Sequence, residues 1–306
     1  MSDPIIDILK GEYIAPAGKA AQMCEAIKAR HPGRVLALVY YGSSLREMNN
    51  SEKMLDFYVI VDSYRKAHKN PLRMLLNAVL PPSVYYHEIP HENGEITTCK
   101  YSLISLKGFE RRAGKSALLS TVWGRFSQPS IILYPKGESI NERLYAARAK
   151  ALRHIAGETA PLFSGVPVGC VDFWARGFRE SYRTELRPES SESRSREIVT
   201  RYEDRYVDVM EALYGAADET GLYALPSGNM LACKSRWFLR RVIGKTIAPF
   251  RILSSAATFD GGIDYVLRKL HNHSGVTIEV TPAQRRHPVL WSPVLGWKLW
   301  RKGAFR

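Results

Sequence analysis

No two of the four cysteines in this 306-residue sequence form a Cys-x-x-Cys pair; Cys24, Cys99, Cys170 and Cys233 are scattered along the chain. That scatter excludes a disulfide-framed small domain and a zinc ribbon, and it fits a reducing compartment. No window holds the roughly 18–20 consecutive apolar residues of a spanning helix, so any membrane contact is expected to be peripheral. The opening residues, Met1-Ser2-Asp3-Pro4, have no basic segment followed by an apolar one, and no signal peptide is expected. There is no internal repeat and no long low-complexity tract. The histidines offer little: Pro90 breaks any helical face joining His87 to His91, and His271 and His273 have no cysteine pair nearby, so no zinc site is expected.

What is present is a core and an uneven charge. Hydrophobic residues make up 45% of the chain, enough to fill about two domains. The net charge is +14, and Leu231 to Arg306 holds 14 basic residues against 3 acidic ones. A basic end on a nearly balanced body points to a polyanionic partner, either an acidic membrane or nucleic acid; the alternative is a solvated basic tail.

The pattern of elements predicts a mixed α/β (α+β) sheet with helices over residues 1–135, a mostly helical region over 136–255, and a basic segment over 256–306. Strands are expected at Val35 to Tyr40, Met54 to Val61, Val84 to Ile89, Thr97 to Leu106 and Ser130 to Tyr134. Helices are expected at Ala15 to Ala29, Leu72 to Leu80, Ser116 to Phe126, Asn141 to Ile155, Ile198 to Tyr214 and Ile263 to Leu270. Arg187 to Arg196, a Ser-rich run, reads as a polar loop.

The chemistry gathers early. A strand runs into Gly42-Ser43-Ser44, where glycine lets the backbone approach a phosphate and the serines can donate to it. The strand that follows places Asp56, Tyr58, Ile60 and Asp62 on one face by its period of two. Asp56 is the primary candidate metal ligand and Asp62 a secondary one. A fully extended strand would hold them about 20 Å apart, so both reach one ion only if the chain bends. Asp62 has the alternative role of capping the next turn, and Glu88 is a candidate for a further carboxylate. Carboxylate oxygens suit Mg²⁺, which neutralises nucleotide phosphates.

Gly108 to Ser116 has the look of a P-loop but carries five residues between its glycines where the motif needs four, and it is rejected. Ser181, Tyr182, Arg183, Glu185 and Arg187 form a polar patch that reads as a solvated helix face, with substrate contact as the alternative.

Four segments in register carry a family likeness: Tyr41-Gly42-Ser43 with Met54-Leu55-Asp56-Phe57; Val84-Tyr85-Tyr86; Lys100-Tyr101-Ser102-Leu103-Ile104-Ser105; and Trp123-Gly124-Arg125-Phe126-Ser127-Gln128-Pro129. Over Val35 to Leu133 the order and spacing resemble the mitochondrial Tam-forty-one family of phosphatidate cytidylyltransferases. Ser44 and Ser102 stand where that family has glycine, and Ala67-His68-Lys69-Asn70 replaces its Trp-His-x-x-Asn. The resemblance implies a nucleotidyltransferase-like fold, CTP and phosphatidate as substrates, and CDP-diacylglycerol and pyrophosphate as products. It draws attention to Lys100, which as a point cation can neutralise a triphosphate, and to Arg125, which can hold a phosphate. Each has a plainer role available, as a strand-end lysine or a helix-end cation.

The tail from Arg285 to Arg306 contains Trp291, Trp297 and Trp300, half of the six tryptophans, with six basic residues and no acidic one. Indole rings favour the headgroup level and Lys298, Arg301 and Lys302 can reach lipid phosphates. Pro288 and Pro293 argue against a long helix before Val294. The expectation is a cytoplasmic enzyme, peripheral on the inner face of the cell membrane (the mitochondrial inner membrane in a eukaryote), with no nucleic acid as partner; the alternatives are nucleotidyl transfer to another acceptor (RNA or a small molecule), a non-catalytic membrane-binding relative, and a tail packed on the body.

Overall fold

The computed structural model describes residues 3–16, 18–46, 53–68, 71–79, 82–92, 94–185, 191–258, 267, 271, 274–286 and 288–303. Five strands form a mixed sheet: β1 (Val35–Tyr41), β2 (Leu55–Val61), β3 (Ser83–Pro90), β4 (Ile96–Ser105) and β5 (Ser130–Leu133), in the order β3-β4-β2-β1-β5. β2 and β4 run parallel and the other pairings are antiparallel. The parallel pair needs a crossover, and α4 (Tyr64–Ala67), α5 (Pro71–Val79) and β3 supply it. This is the mixed α/β class read from the strand pattern, and each expected strand lies within two residues of its place.

Period-two alternation sorts the two faces. Leu38, Tyr40, Phe57, Val59, Tyr101 and Leu103 pack with Met23, Cys24 and Ile27 of α2 (Gly18–Arg30). Val39, Tyr41, Tyr58, Ile60, Ile104 and Ile132 face the opposite way, into a large core shared with most of the helices. Those helices are α1 (Pro4–Gly11), α6 (Leu106–Arg112), α7 (Trp123–Phe126), α8 (Glu138–Thr159), α9 (Cys170–Tyr182), α10 (Ser191–Arg201) and α11 (Glu203–Tyr214). A one-turn α3 (Ser43–Arg46) follows β1, and β6 (Val168–Gly169) and β7 (Leu222–Tyr223) form a short ribbon that pairs Val168 with Tyr223. The long α12 (Met230–Thr258) then leads toward α13 (Pro282–Arg286) and α14 (Pro288–Arg301).

Several expectations need correction. The Ser-rich run is helical from Ser191, because Ser195 and Ile198 are buried where α10 packs on α9, and residues 187–190 lie outside the described residues. The helix expected at Ile198 to Tyr214 is two helices broken at Tyr202, whose φ and ψ leave the helical region. Between Ala113 and Val122 the chain turns instead of coiling, since Ser120 bonds to Thr184 and Ser181 and the Trp123 indole returns to the Ala117 carbonyl. The tail is a continuous helix from Pro288 despite Pro293. Pro288 sits at its first position, where no N–H is needed, and Leu295 and Leu299 anchor it on Ile278. The helix expected at Ile263 to Leu270 lies largely outside the described residues.

Two buried ion networks lock the helices around the sheet. The Glu12 carboxylate, just past α1, holds Arg148 of α8 at 2.6 Å and Arg205 of α11. Glu158 of α8 holds Arg240 of α12 at 2.6 Å, and that guanidinium lies over the Trp123 and Trp237 rings. Burial works to raise the Glu12 pKa, but the two guanidinium groups outweigh it and hold the carboxyl below its usual range. Its stabilising contribution is therefore full above the ordinary glutamate pKa and lost as pH falls through the lowered one. Glu12→Ala leaves two buried cations without their carboxylate. It is expected to cost about 3–5 kcal/mol in urea unfolding at neutral pH, with a smaller loss at acid pH; an unchanged midpoint would make the network energetically silent.

Candidate functional site

One register row crosses the whole sheet. Ser130 pairs with Tyr41, Tyr41 with Asp56, Asp56 with Lys100, and Lys100 with Tyr86. Residues paired in one row share a face, so Asp56 and Lys100 project side by side. The Lys100 Nζ lies 3.7 Å from Asp56 Oδ1.

Gly42 closes this row where β1 ends. Its φ is +88°, and a Cβ there would stand 2.9 Å from Asp56 Oδ2. Only glycine combines that backbone with that closeness. Ser43 then opens α3 at the lip of a cleft, while Ser44 is buried behind it beside Tyr40 and does not line it.

Arg125, on α7, lies over the Tyr41 ring at 5.4 Å and 3.6 Å from the Glu185 carboxylate. Burial alone would drive its guanidinium toward neutrality; Tyr41, Tyr58, Glu185 and Asp56 hold it firmly charged. At Asp56 burial dominates and raises the pKa, against the pull of Lys100 and Arg125.

The cleft spans about 680 Å³, part of it open to solvent. Its sheet wall is Tyr41, Gly42, Ser43, Asp56 and Lys100. Its helical wall is Gly124, Arg125 and Gln128 around α7, Ser181, Tyr182 and Glu185 at the end of α9, and Arg194 with Ile198 on α10. The Ser181 hydroxyl occupies the space that a Cβ on Gly124 would take.

The structure thus brings together Gly42, Ser43, Asp56, Lys100 and Arg125 of the residues expected from sequence. Asp62 sits at the far end of β2, where its carboxylate accepts the Ser63 N–H at 2.7 Å and meets Lys66 at 3.5 Å. Glu88 accepts the Tyr86 hydroxyl and does not line the cleft. The patch at Ser181, Tyr182 and Glu185 is corrected from a solvated face to a cleft wall, with Ser181 and Tyr182 buried. Arg183 of the same patch is exposed, and Arg187 lies outside the described residues. Gly108 to Arg112, within the rejected P-loop, belongs to helix α6, with Gly108 pressed against Ser105 and Tyr64. Arg194 and Ile198 escaped the sequence reading; their i,i+4 spacing within a polar run was the available signal.

Among the described residues no group of three His, Cys, Asp or Glu side chains is placed to cage a metal. Mg²⁺, however, is ordinarily held by one or two carboxylates together with substrate phosphates. Asp56 with the Ser43 hydroxyl at the lip fits an ion that arrives with a nucleotide, and does not fit one held by protein alone.

At the C-terminal end, Trp291, Trp297 and Trp300 of α14 are exposed, whereas Trp123, Trp174 and Trp237 are buried. The Arg301 guanidinium lies 4.8 Å from the Trp297 ring centre, Lys298 is exposed, and Lys302 donates to the Thr277 carbonyl at 2.9 Å. No described helix is long and apolar enough to cross a membrane.

No family model and no curated protein matches this chain. Among solved structures it is similar to a nucleotidyltransferase-like protein from Exiguobacterium sibiricum, at 11% identity over 93% of this chain and 91% of that one, with a TM-score of 0.27. At that distance the likeness decides neither fold nor activity.

Proposed function

We propose that this protein is a nucleotidyltransferase, and more closely a phosphatidate cytidylyltransferase that joins CTP to phosphatidate with loss of pyrophosphate. The observation that carries the reading is the Asp56–Lys100 row lying against the Gly42–Ser43 turn on one wall of the cleft. A strand carboxylate, a neighbouring cation and a glycine-shaped phosphate turn are the parts that phosphoryl displacement needs, since its catalysis is mostly positioning and charge neutralisation.

Gly42 brings backbone against the β- and γ-phosphates, the Ser43 hydroxyl donates to them, and Lys100 balances their charge. Arg125 steadies charge at the reacting phosphate from the opposite side. Asp56, together with the nucleotide, would hold Mg²⁺, which would neutralise charge on the phosphate oxygens. A phosphatidate oxygen forms the new bond to the α-phosphorus. The bond to the bridging oxygen breaks, and its electron pair leaves with pyrophosphate. The choice of CTP and of phosphatidate rests on the family resemblance. The exposed indoles of α14 support a lipid acceptor.

The direct test is purified protein with radiolabelled CTP, Mg²⁺ and a panel of acceptors including phosphatidate. Labelled CDP-diacylglycerol is the expected product; label on another acceptor retains nucleotidyl transfer and replaces the lipid. In the same assay Lys100→Ala should raise the KM for CTP about tenfold or more, the size of a lost charged hydrogen bond, with little change in the KM for lipid. An unchanged CTP dependence returns Lys100 to a structural role.

A further inference from the structure

Among the described residues the cleft holds three cations, and two of them meet a carboxylate that also lines it: Lys100 meets Asp56 at 3.7 Å and Arg125 meets Glu185 at 3.6 Å. The third, Arg194, pairs at 2.9 Å with Glu197, which lies on its own helix three residues on and does not line the cleft. Among the described residues, the helical wall therefore carries positive charge that no cleft carboxylate offsets. It stands across from the sheet wall, where Gly42, Ser43 and Lys100 gather.

We propose that this helical wall is the subsite for the acceptor substrate, and that Arg194 grips its phosphomonoester group. This rests on the nucleotidyl-transfer reading and extends it to the second substrate. In-line displacement puts nucleophile and leaving group on opposite sides of the α-phosphorus. With the leaving pyrophosphate on the sheet wall, the attacking phosphate comes from the helical wall. Arginine suits that task because its planar fork matches phosphate oxygens and stays charged. The acceptor enters as a dianion, so one of its oxygens forms the new P–O bond without a proton to dispose of. Ile198, one turn beyond Arg194, is buried in the core and fixes α10 so that Arg194 borders the cleft. The i,i+4 spacing of this pair sets both on the cleft side of α10.

Calorimetric titration of the full chain separates the two walls. The probes are glycerol 3-phosphate, dihexanoyl phosphatidate, and the non-cleavable α,β-methylene analogue of CTP with Mg²⁺, each titrated alone. Arg194→Gln is expected to weaken both phosphate esters roughly ten- to hundredfold, the effect of one lost hydrogen bond to a charged group, and to leave the CTP analogue within about twofold. Arg194→Lys, which keeps the charge, should retain part of the ester affinity. Lys100→Ala should show the reverse preference. Tighter binding of dihexanoyl phosphatidate than of glycerol 3-phosphate marks a lipid source for the phosphate; equal binding marks a soluble ester. The subsite is overturned if Arg194→Gln weakens the analogue as much as the esters, if ester affinity does not change, or if neither ester binds the wild-type chain. A wild-type chain that binds the esters through Arg194 but not the analogue keeps the subsite and removes nucleotidyl transfer.

Discussion

Asp56→Asn is expected to lower turnover on the order of 10³-fold or more while leaving the folded protein as stable as before, or more so. The two halves have one cause. Burial raises the Asp56 pKa in spite of Lys100 and Arg125, so the folded protein holds this carboxylate charged at a cost. Between the unfolded pKa and the raised folded one, the native state binds more protons, and stability falls as pH rises through that window. The cost is then fully present at neutral pH. An asparagine of nearly the same shape removes it, together with the charge that a divalent cation and the nucleotide phosphates require. Turnover should accordingly gain an acid limb above the ordinary aspartate range, because only the ionised carboxylate serves. Thermal melts at neutral pH and a pH profile of kcat/KM check both halves. Wild-type turnover in a folded variant takes Asp56 out of the chemistry. A clear drop in Tm means that attraction to Lys100 and Arg125 outweighs burial.

The sheet wall of the cleft was legible because its parts are local. Gly42 and Ser43 follow an apolar run, and Asp56 and Lys100 begin or punctuate others, so period-two patterning places them without knowledge of the fold. Their juxtaposition came from pairing: the parallel β2–β4 register sets Asp56 against Lys100, and spacing alone does not specify it. The helical wall was out of reach for a related reason. Ser181, Glu185 and Arg194 are polar residues in polar surroundings, and what makes them cleft residues is the packing of α9 and α10 beyond α7. Arg148, at 1% exposure, shows the same blindness; an arginine in an Arg/Ala-rich helix reads as solvated until Glu12, 136 residues earlier, is seen to meet it. Pro293 misled in the opposite direction. A proline rule that is sound for an isolated helix yielded to the packing of Leu295 and Leu299.

Replacing Trp297 and Trp300 together by serine is expected to release the protein from vesicles containing acidic lipid, with no loss of folding. The structure separates the two faces of α14: Leu295 and Leu299 are buried against Ile278, while Trp297 and Trp300 are 56% and 66% exposed. Removing the whole tail would uncover Ile278 and confuse membrane release with unfolding; the double substitution leaves the packed leucines in place. If each ring transfers about 100 Å² of apolar surface at roughly 25 cal/mol per Å², the pair contributes about 5 kcal/mol, or some three to four orders of magnitude in binding. Lys298 and Arg301 add about 1 kcal/mol each near an acidic surface, and salt screens that part. Wild-type binding should therefore fall only in part as salt rises. The double variant should retain a weak attachment that salt abolishes, and Lys298→Gln should weaken binding while leaving it less sensitive to salt. Arg301 is a poorer probe, because its guanidinium also lies on the Trp297 ring. Co-sedimentation over a salt series, with calorimetry of the CTP analogue as a control on the cleft, reads all of this. A double variant that sediments as the wild type does places the membrane contact elsewhere and leaves the exposed indoles of α14 for another partner.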